Sequence, residues 1–421
     1  MYWIELRRSP LRWCFPLLVA LDIATLFGRS HWWVGEWAQT SAQVQIPCFY
    51  MAPLLAAAAA WTAGRASRNN LDAQLDAAAR PVWQIELTQL SATLTYGLTV
   101  YGVGAVVAAV TSYPEAGPGF LWPGYLALGA TLLVSFTSAG HLVGRWSRSH
   151  FFAPVLCGIG GLVIIAWFGA PSALGFYVIS GSPFQEVSSP VLLVHFLVAA
   201  VLMATAVLLR RRSPGMGGRE WAGARRRVRT ASLSVLTGAA VLGLLTAGPV
   251  QVARSAPRQP LCTTGVHQLC LWPEDRKYLP QAQEMAGRMS RIPPGLFKIP
   301  PVFYERGLRG PRFAYEDFYI LDGSMWDASV TMAGNIMTAS YPKGCPLPVD
   351  SRITPQFKLA SGELNVWLAM RIFGAGVPAD MHGGPPDVNL SAVAHVTTKP
   401  EDVQVEWAKQ RLETIHHAFC G

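Results

Sequence analysis

Four ionisable side chains stand in or beside apolar stretches of this chain: Asp22, Glu86, His141 and His195. A charge in hydrocarbon is costly, so such groups either hydrogen-bond across helices or line a route for protons or ions. Asp22 is the most central, His195 lies near the end of its stretch, and Glu86 falls at an edge. Both uses stay open for Asp22, His141 and His195.

Other chemistry has little support. A phosphate-cradling loop needs spaced glycines followed by Lys and Ser or Thr, and Pro342-Lys343-Gly344-Cys345 does not match. H-E-x-x-H is absent, so no metallopeptidase is expected. His267, His382, His395, His416 and His417 lack ligand spacing, and the last two point about 100° apart on a helix. No G-x-S-x-G elbow occurs. Glu305, Glu316, Asp317 and Asp327 could be assembled into an acid–base pair, as in almost any domain. Asn389-Leu390-Ser391 matches a glycosylation sequon, taken here as chance. No enzyme activity, metal or cofactor is expected.

The elements that would carry these residues are membrane spans. The chain has 421 residues, 51% hydrophobic and 14% charged. Apolar runs fill it to about residue 253, and the composition beyond is that of a globular domain. Residues 1–253 carry 17 Lys+Arg against 9 Asp+Glu, and residues 254–421 carry 17 against 16. The positive charge is thus a topology signal, and nucleic acid is not an expected partner.

A helix needs about 20 residues to cross the hydrocarbon core. Seven spans can be drawn: Trp13–Phe27, Gln45–Ala63, Leu87–Val110, Leu121–Val143, Ala153–Tyr177, Val191–Leu209 and Ala231–Val252. Met1–Arg12 reads as an interfacial segment, and no small-residue cleavage site follows the first run, so it is expected to stay as an anchor. Glycines 97, 102 and 104, and 158, 160 and 161, suit close helix packing.

Arginine decides the orientation, because basic loops stay on the cytoplasmic side. With the N-terminus inside, the inner segments hold sixteen arginines, eight of them in Arg210–Arg229, and the three short outer loops hold only Arg29. Those outer loops carry Trp32, Trp33, Trp37 and Pro/Gly-rich runs. Seven spans then place the C-terminal domain outside. Cys262, Cys270, Cys345 and Cys420 all lie in that domain, which suggests two disulfides in an oxidising compartment. Of three pairings, Cys262–Cys270 with Cys345–Cys420 is favoured.

The expected fold is a membrane all-α bundle of about seven transmembrane helices, N-in and C-out, over residues 1–253. A small extracytoplasmic α+β domain follows over residues 254–421. Within the latter, helices are expected at Leu279–Met289, from a capping box at Ser324–Asp327 to about Ala339, from Ser361 to Gly374, and after Pro400. Short strands are expected between Ile299 and Tyr319.

Between the second and third spans, Leu71, Leu75 and Ala78 or Ala79 form one apolar helical face, ended by Pro81. This loop, NNLDAQLDAAARPVW, and the basic start ELRRSPLRW resemble the permease subunits of type 2 exporter-class ATP-binding-cassette (ABC) transporters. The resemblance covers about residues 1–210. It departs from the usual six spans with both ends inside, and looks like an actinobacterial-like variant with an extra span and an external C-terminal domain. It implies a separate cytoplasmic ATPase subunit as partner and a homo- or heterodimer with a second permease. It also implies an ATPase-coupling element at Asn69, Leu71, Leu75, Arg80 and Pro81. The competing expectation is a membrane-anchored extracytoplasmic binding or sensing protein without transport activity, for which such a coupling element is superfluous. An enzyme acting outside the membrane ranks third.

Overall fold

The computed structural model describes residues 1–28, 31–69, 81–147, 151–169, 174–209, 220–310, 313, 316–321, 323–342, 355–376 and 387–420, with backbone only at 66–67, 220–230, 234, 241 and 418–420. The chain is mostly helical and divides into two compact units, Met1–Val252 and Ala253–Gly421.

The first unit opens with a short helix α1 (Tyr2–Arg8), then α2 (Leu11–Gly28). A pair, α3 (Trp37–Gln45) and α4 (Cys48–Ala63), forms one apolar length from Trp37 to Ala63. Next come α5 (Val82–Ser112), α6 (Pro123–Trp146), α7 (Phe152–Phe168), α8 (Ser189–Leu208) and α9 (Glu220–Thr246). Among the described residues five lengths are long and apolar enough to cross a membrane: α2, α3–α4, α5, α6 and α8. The apolar helices Phe152–Phe168 and Ala231–Thr246 are shorter.

Several span boundaries differ from expectation: α5 begins at Val82 rather than Leu87, and α9 runs Glu220–Thr246, with Gln251–Ala253 a short strand, where a span Ala231–Val252 was expected. Two further differences share one reason. The fifth span was expected to reach Tyr177, yet α7, loosened by a π turn at Leu156–Gly160, ends at Phe168. The residues expected as outer loop around Trp37 instead form α3, buried along its whole length. Glutamines of α3 supply the hydrogen bonds that the non-helical chain after α7 lacks. Gln45 Oε1 accepts from the Val178 amide at 3.1 Å, and Gln39 Oε1 accepts from the Gly181 amide at 2.9 Å. Irregular backbone survives in such surroundings only where protein groups satisfy it. Trp33 and Trp37, expected at an outer interface, are buried, and Trp37 Nε1 donates to the Gly117 carbonyl at 2.9 Å.

The second unit packs α10 (Leu279–Met289), α11 (Trp326–Ser340), α12 (Pro355–Phe373), α13 (Leu390–Thr397) and α14 (Glu401–Cys420) around Met332, Ile336, Leu364, Trp367 and Leu412. Its sheet is small: β1 (Leu261–Cys262) runs antiparallel to β2 (Gln268–Leu271), which runs parallel to β3 (Val302–Tyr304). Of the strands expected up to Tyr319, β3 is the one present among the described residues, with Phe318 adding a single bridge to Glu305. A disulfide joins Cys262 and Cys270, directly opposed across β1 and β2. The pairing expected for Cys345 and Cys420 lies outside the described side chains.

Local signals held in part. Gly374 ends α12 at φ +87°, a conformation that favours glycine. That helix begins at Pro355, so Ser361 lies inside it rather than opening it. Ser324 Oγ accepts from the Trp326 amide at 3.1 Å at the start of α11, whose cap residue is Met325. Asn389, noted as a sequon, is a helix cap: its Oδ1 accepts from the Ala392 amide at 3.0 Å.

Candidate functional site

The sequence Gly140-His141-Leu142-Val143-Gly144-Arg145 places two pairs at i, i+4 spacing on α6, each pair about 100° round the helix from the other. The glycine pair meets α4. A Cβ at position 140 would lie 2.1 Å from the Ala56 carbonyl oxygen, and one at position 144 would lie 2.2 Å from that of Ala60. Only glycine permits this approach, which brings two backbones into contact. The other pair meets α5 and α8.

There His141 Nε2 lies 2.8 Å from Glu86 Oε2, and Arg145 Nε lies 3.2 Å from Glu86 Oε1. Arg145 Nη1 also donates to the Ala206 carbonyl of α8 at 2.8 Å. Each carboxylate oxygen thus has its own partner. The His141 side chain is 0% exposed, that of Arg145 8% and that of Glu86 13%. His141 Nδ1 has no hydrogen-bond partner. The cluster is a polar knot over three helices. Glu86, near the start of α5, is held between His141 and Arg145. Arg145, expected only as an inside charge, is its counter-ion.

Asp22 stands apart from this cluster. It is 1% exposed, and neither carboxylate oxygen has a hydrogen-bond partner. A Cβ at position 104 would sit 2.0 Å from Oδ2, so the glycine of α5 makes room for the carboxyl group. Cys48 and Tyr101 lie within reach of its charge. His195 is held separately: Nδ1 meets the Val191 carbonyl at 2.9 Å, and the ring stacks edge-on to Phe176.

Of the expected coupling element, Leu71, Leu75 and Arg80 lie outside the described residues. Asn69 is exposed, and its amide donates to the Arg65 carbonyl at 3.2 Å. Pro81 is the cap residue of α5, whose first turn carries the chain to Glu86. Around that end α1 is tied in as well. Arg65 Nη1 meets Glu5 Oε2 at 3.2 Å, and Tyr96 Oη donates to the Leu6 carbonyl at 2.9 Å.

Among the described residues of the second unit, four carboxylates are buried: Glu274, Asp275, Glu305 and Asp317. Glu305 and Asp317 were among those named from the sequence; Glu316 remains at the surface and shares Arg309 with Asp317. Asp275 hydrogen-bonds to Glu305, whose Oε2 accepts from the Trp272 amide at 2.8 Å. Burial pushes Asp275 up to about 6; Glu305 and Lys277 oppose the shift, and Glu274 adds to it. Burial also raises Asp317, against its ion pair with Arg309. A folded-state value above the unfolded one means that the folded unit holds the proton more tightly. That contribution to stability is complete below about pH 4 and is lost as pH rises through about 6. Hydrogen exchange on the full-length protein should therefore show β2 and the Trp272 turn opening more readily at pH 7 than at pH 5. The total change between the two should be about 1.4 kcal/mol, because the one-proton slope ends near pH 6, and Asp275→Asn should flatten it. Equal slopes in both proteins would refute the assignment.

Among the described residues no group of three His, Cys, Asp or Glu side chains could hold a metal ion. Comparison with family models, curated proteins and solved structures finds no match. The geometry stands by itself.

Proposed function

We propose that this chain is the membrane-embedded permease subunit of an ABC-type transporter, moving its substrate with a separate cytoplasmic ATPase. The observation that carries the reading is the Glu86–His141–Arg145 knot. It begins little more than one helical turn beyond Pro81, where the loop proposed to receive the ATPase re-enters the bundle, and it ties α5 to α6 and α8. A displacement delivered to that loop would be passed to three helices together. Asp22 is the proposed polar group along the transport route.

If the loop couples to an ATPase, charging its apolar face (Leu71→Glu with Leu75→Glu) should abolish co-purification of the ATPase while leaving the permease in the membrane. Undiminished association in the double variant would remove the reading.

The second unit is proposed to lie outside the membrane, supported by the arginine asymmetry and by the Cys262–Cys270 disulfide, a bond that persists in oxidising compartments. In a variant with Cys14, Cys48 and Cys157 replaced by serine, a membrane-impermeant thiol reagent should label intact cells after reduction. Labelling that requires lysis would reverse the topology. A membrane-anchored binding or sensing protein is the second reading, favoured by a cleft of about 590 Å³ in the second unit.

A further inference from the structure

That cleft is lined by Arg288, Arg291 and Arg371, with Glu401 as the single carboxylate and Gly374 and Met370 among the remaining walls. Its volume of about 590 Å³ falls within the roughly 300–1,000 Å³ typical of small-molecule sites. We propose that it binds a small molecule through a dianionic phosphate monoester. The inference does not depend on the transport reading.

Charge is the first argument. Three guanidinium groups line the cleft against Glu401, and Glu284 pairs with Arg288 beside it, which leaves an excess of one positive charge and favours an anion such as a phosphate monoester, which carries about −1.5 to −2 near neutral pH.

Preorganisation is the second. Arg288 is held by the Phe373 carbonyl at 2.5 Å and by Glu284 at 2.8 Å, and Arg371 by Glu401 at 3.0 Å, with its guanidinium 5.8 Å from the Trp367 ring centre. Each guanidinium has five N–H donors, so these contacts leave several over for a ligand. Gly374 serves this arrangement twice. Its φ is +87°, and a Cβ there would lie 2.3 Å from the Arg288 guanidinium carbon. The glycine lets that group lie flat against the end of α12. Arg291 is exposed and forms no ion pair among the described residues, which makes it the cation whose charge is least committed to the fold.

The test uses the full-length protein in neutral detergent, titrated calorimetrically with glycerol 3-phosphate and, as an uncharged control, glycerol. Parallel samples in nanodiscs of phosphatidylcholine with or without phosphatidic acid distinguish a soluble ligand from a lipid headgroup. Saturable binding of glycerol 3-phosphate is expected, weakened about tenfold by Arg291→Gln, which removes one charge-assisted contact at an exposed position. A preference for phosphatidic acid that Arg291→Gln abolishes would support the same site with lipid as the source. No saturable binding in either arm, or binding that Arg291→Gln leaves unchanged, would overturn the proposal.

Discussion

Arg145→Ala is expected to cost about 3–5 kcal/mol, because it strands the Glu86 carboxylate inside the bundle with only a histidine for company. Breaking a buried pair from one side leaves a desolvated charge, and this dominates over the modest net worth of the pair itself. The variant also loses the tie to the Ala206 carbonyl, so α8 should loosen against α6. Thermal unfolding in detergent gives the measurement. Pairing the change with Glu86→Gln should recover part of the loss, since the double variant has no orphaned charge. A single variant as stable as the parent, or a double variant whose cost is the simple sum, would mean that the knot is ornamental. The same cycle bears on transport: if the knot relays motion from the loop at Pro81, the recovered double variant should stay folded yet uncouple ATP hydrolysis from substrate movement.

The second large effect comes from a single methyl group. Gly140→Ala would place a carbon 2.1 Å from the Ala56 carbonyl oxygen. The obstacle is backbone, with no flexible side chain to swing away, so α4 and α6 must separate. Overpacking generally costs about 1–3 kcal/mol, and a clash with backbone should reach or exceed the upper end. Gly102→Ala is the control, because nothing lies within 4 Å of a Cβ there. Yield of folded protein and melting temperature should fall sharply for the first change and hardly move for the second. Equal behaviour of the two would remove the close α4–α6 contact from the account. His141 and Arg145 lie one residue further along the same helix, so separation of α4 from α6 should also weaken the Glu86 knot.

How far the sequence alone could be read varies with the distance over which each feature is determined. Hydropathy located the apolar helices, because a span must be apolar wherever its neighbours lie. Cys262–Cys270 was legible because its partners are close in sequence and confined to one polar domain. Helix α10 and the stop at Gly374 were legible from local periodicity and backbone chemistry. The Gly140–Gly144 pair, unlike the denser glycines of α5 and α7, was not singled out by local density, and its role rests on which helix it meets. Two of those, Gly102 and Gly160, have no close neighbour outside their own helix.

The failures were long-range. Gln39 looks like a loop residue and Gln45 like a span end until the chain after α7 folds back on them, 133 to 142 positions away.

By itself, the sequence determined that apolar helices precede a polar domain, that arginine gathers in alternate loops, and that ionisable groups interrupt the apolar runs. Each is a property of one segment and its solvent. Only tertiary structure decided that Glu86, His141 and Arg145 form one site while Asp22 stands unpaired, and that Asp275 meets Glu305. An ionisable group in an apolar interior takes its character from its nearest polar partner, and that partner lies 55 residues away for His141 and on a different element for Asp275.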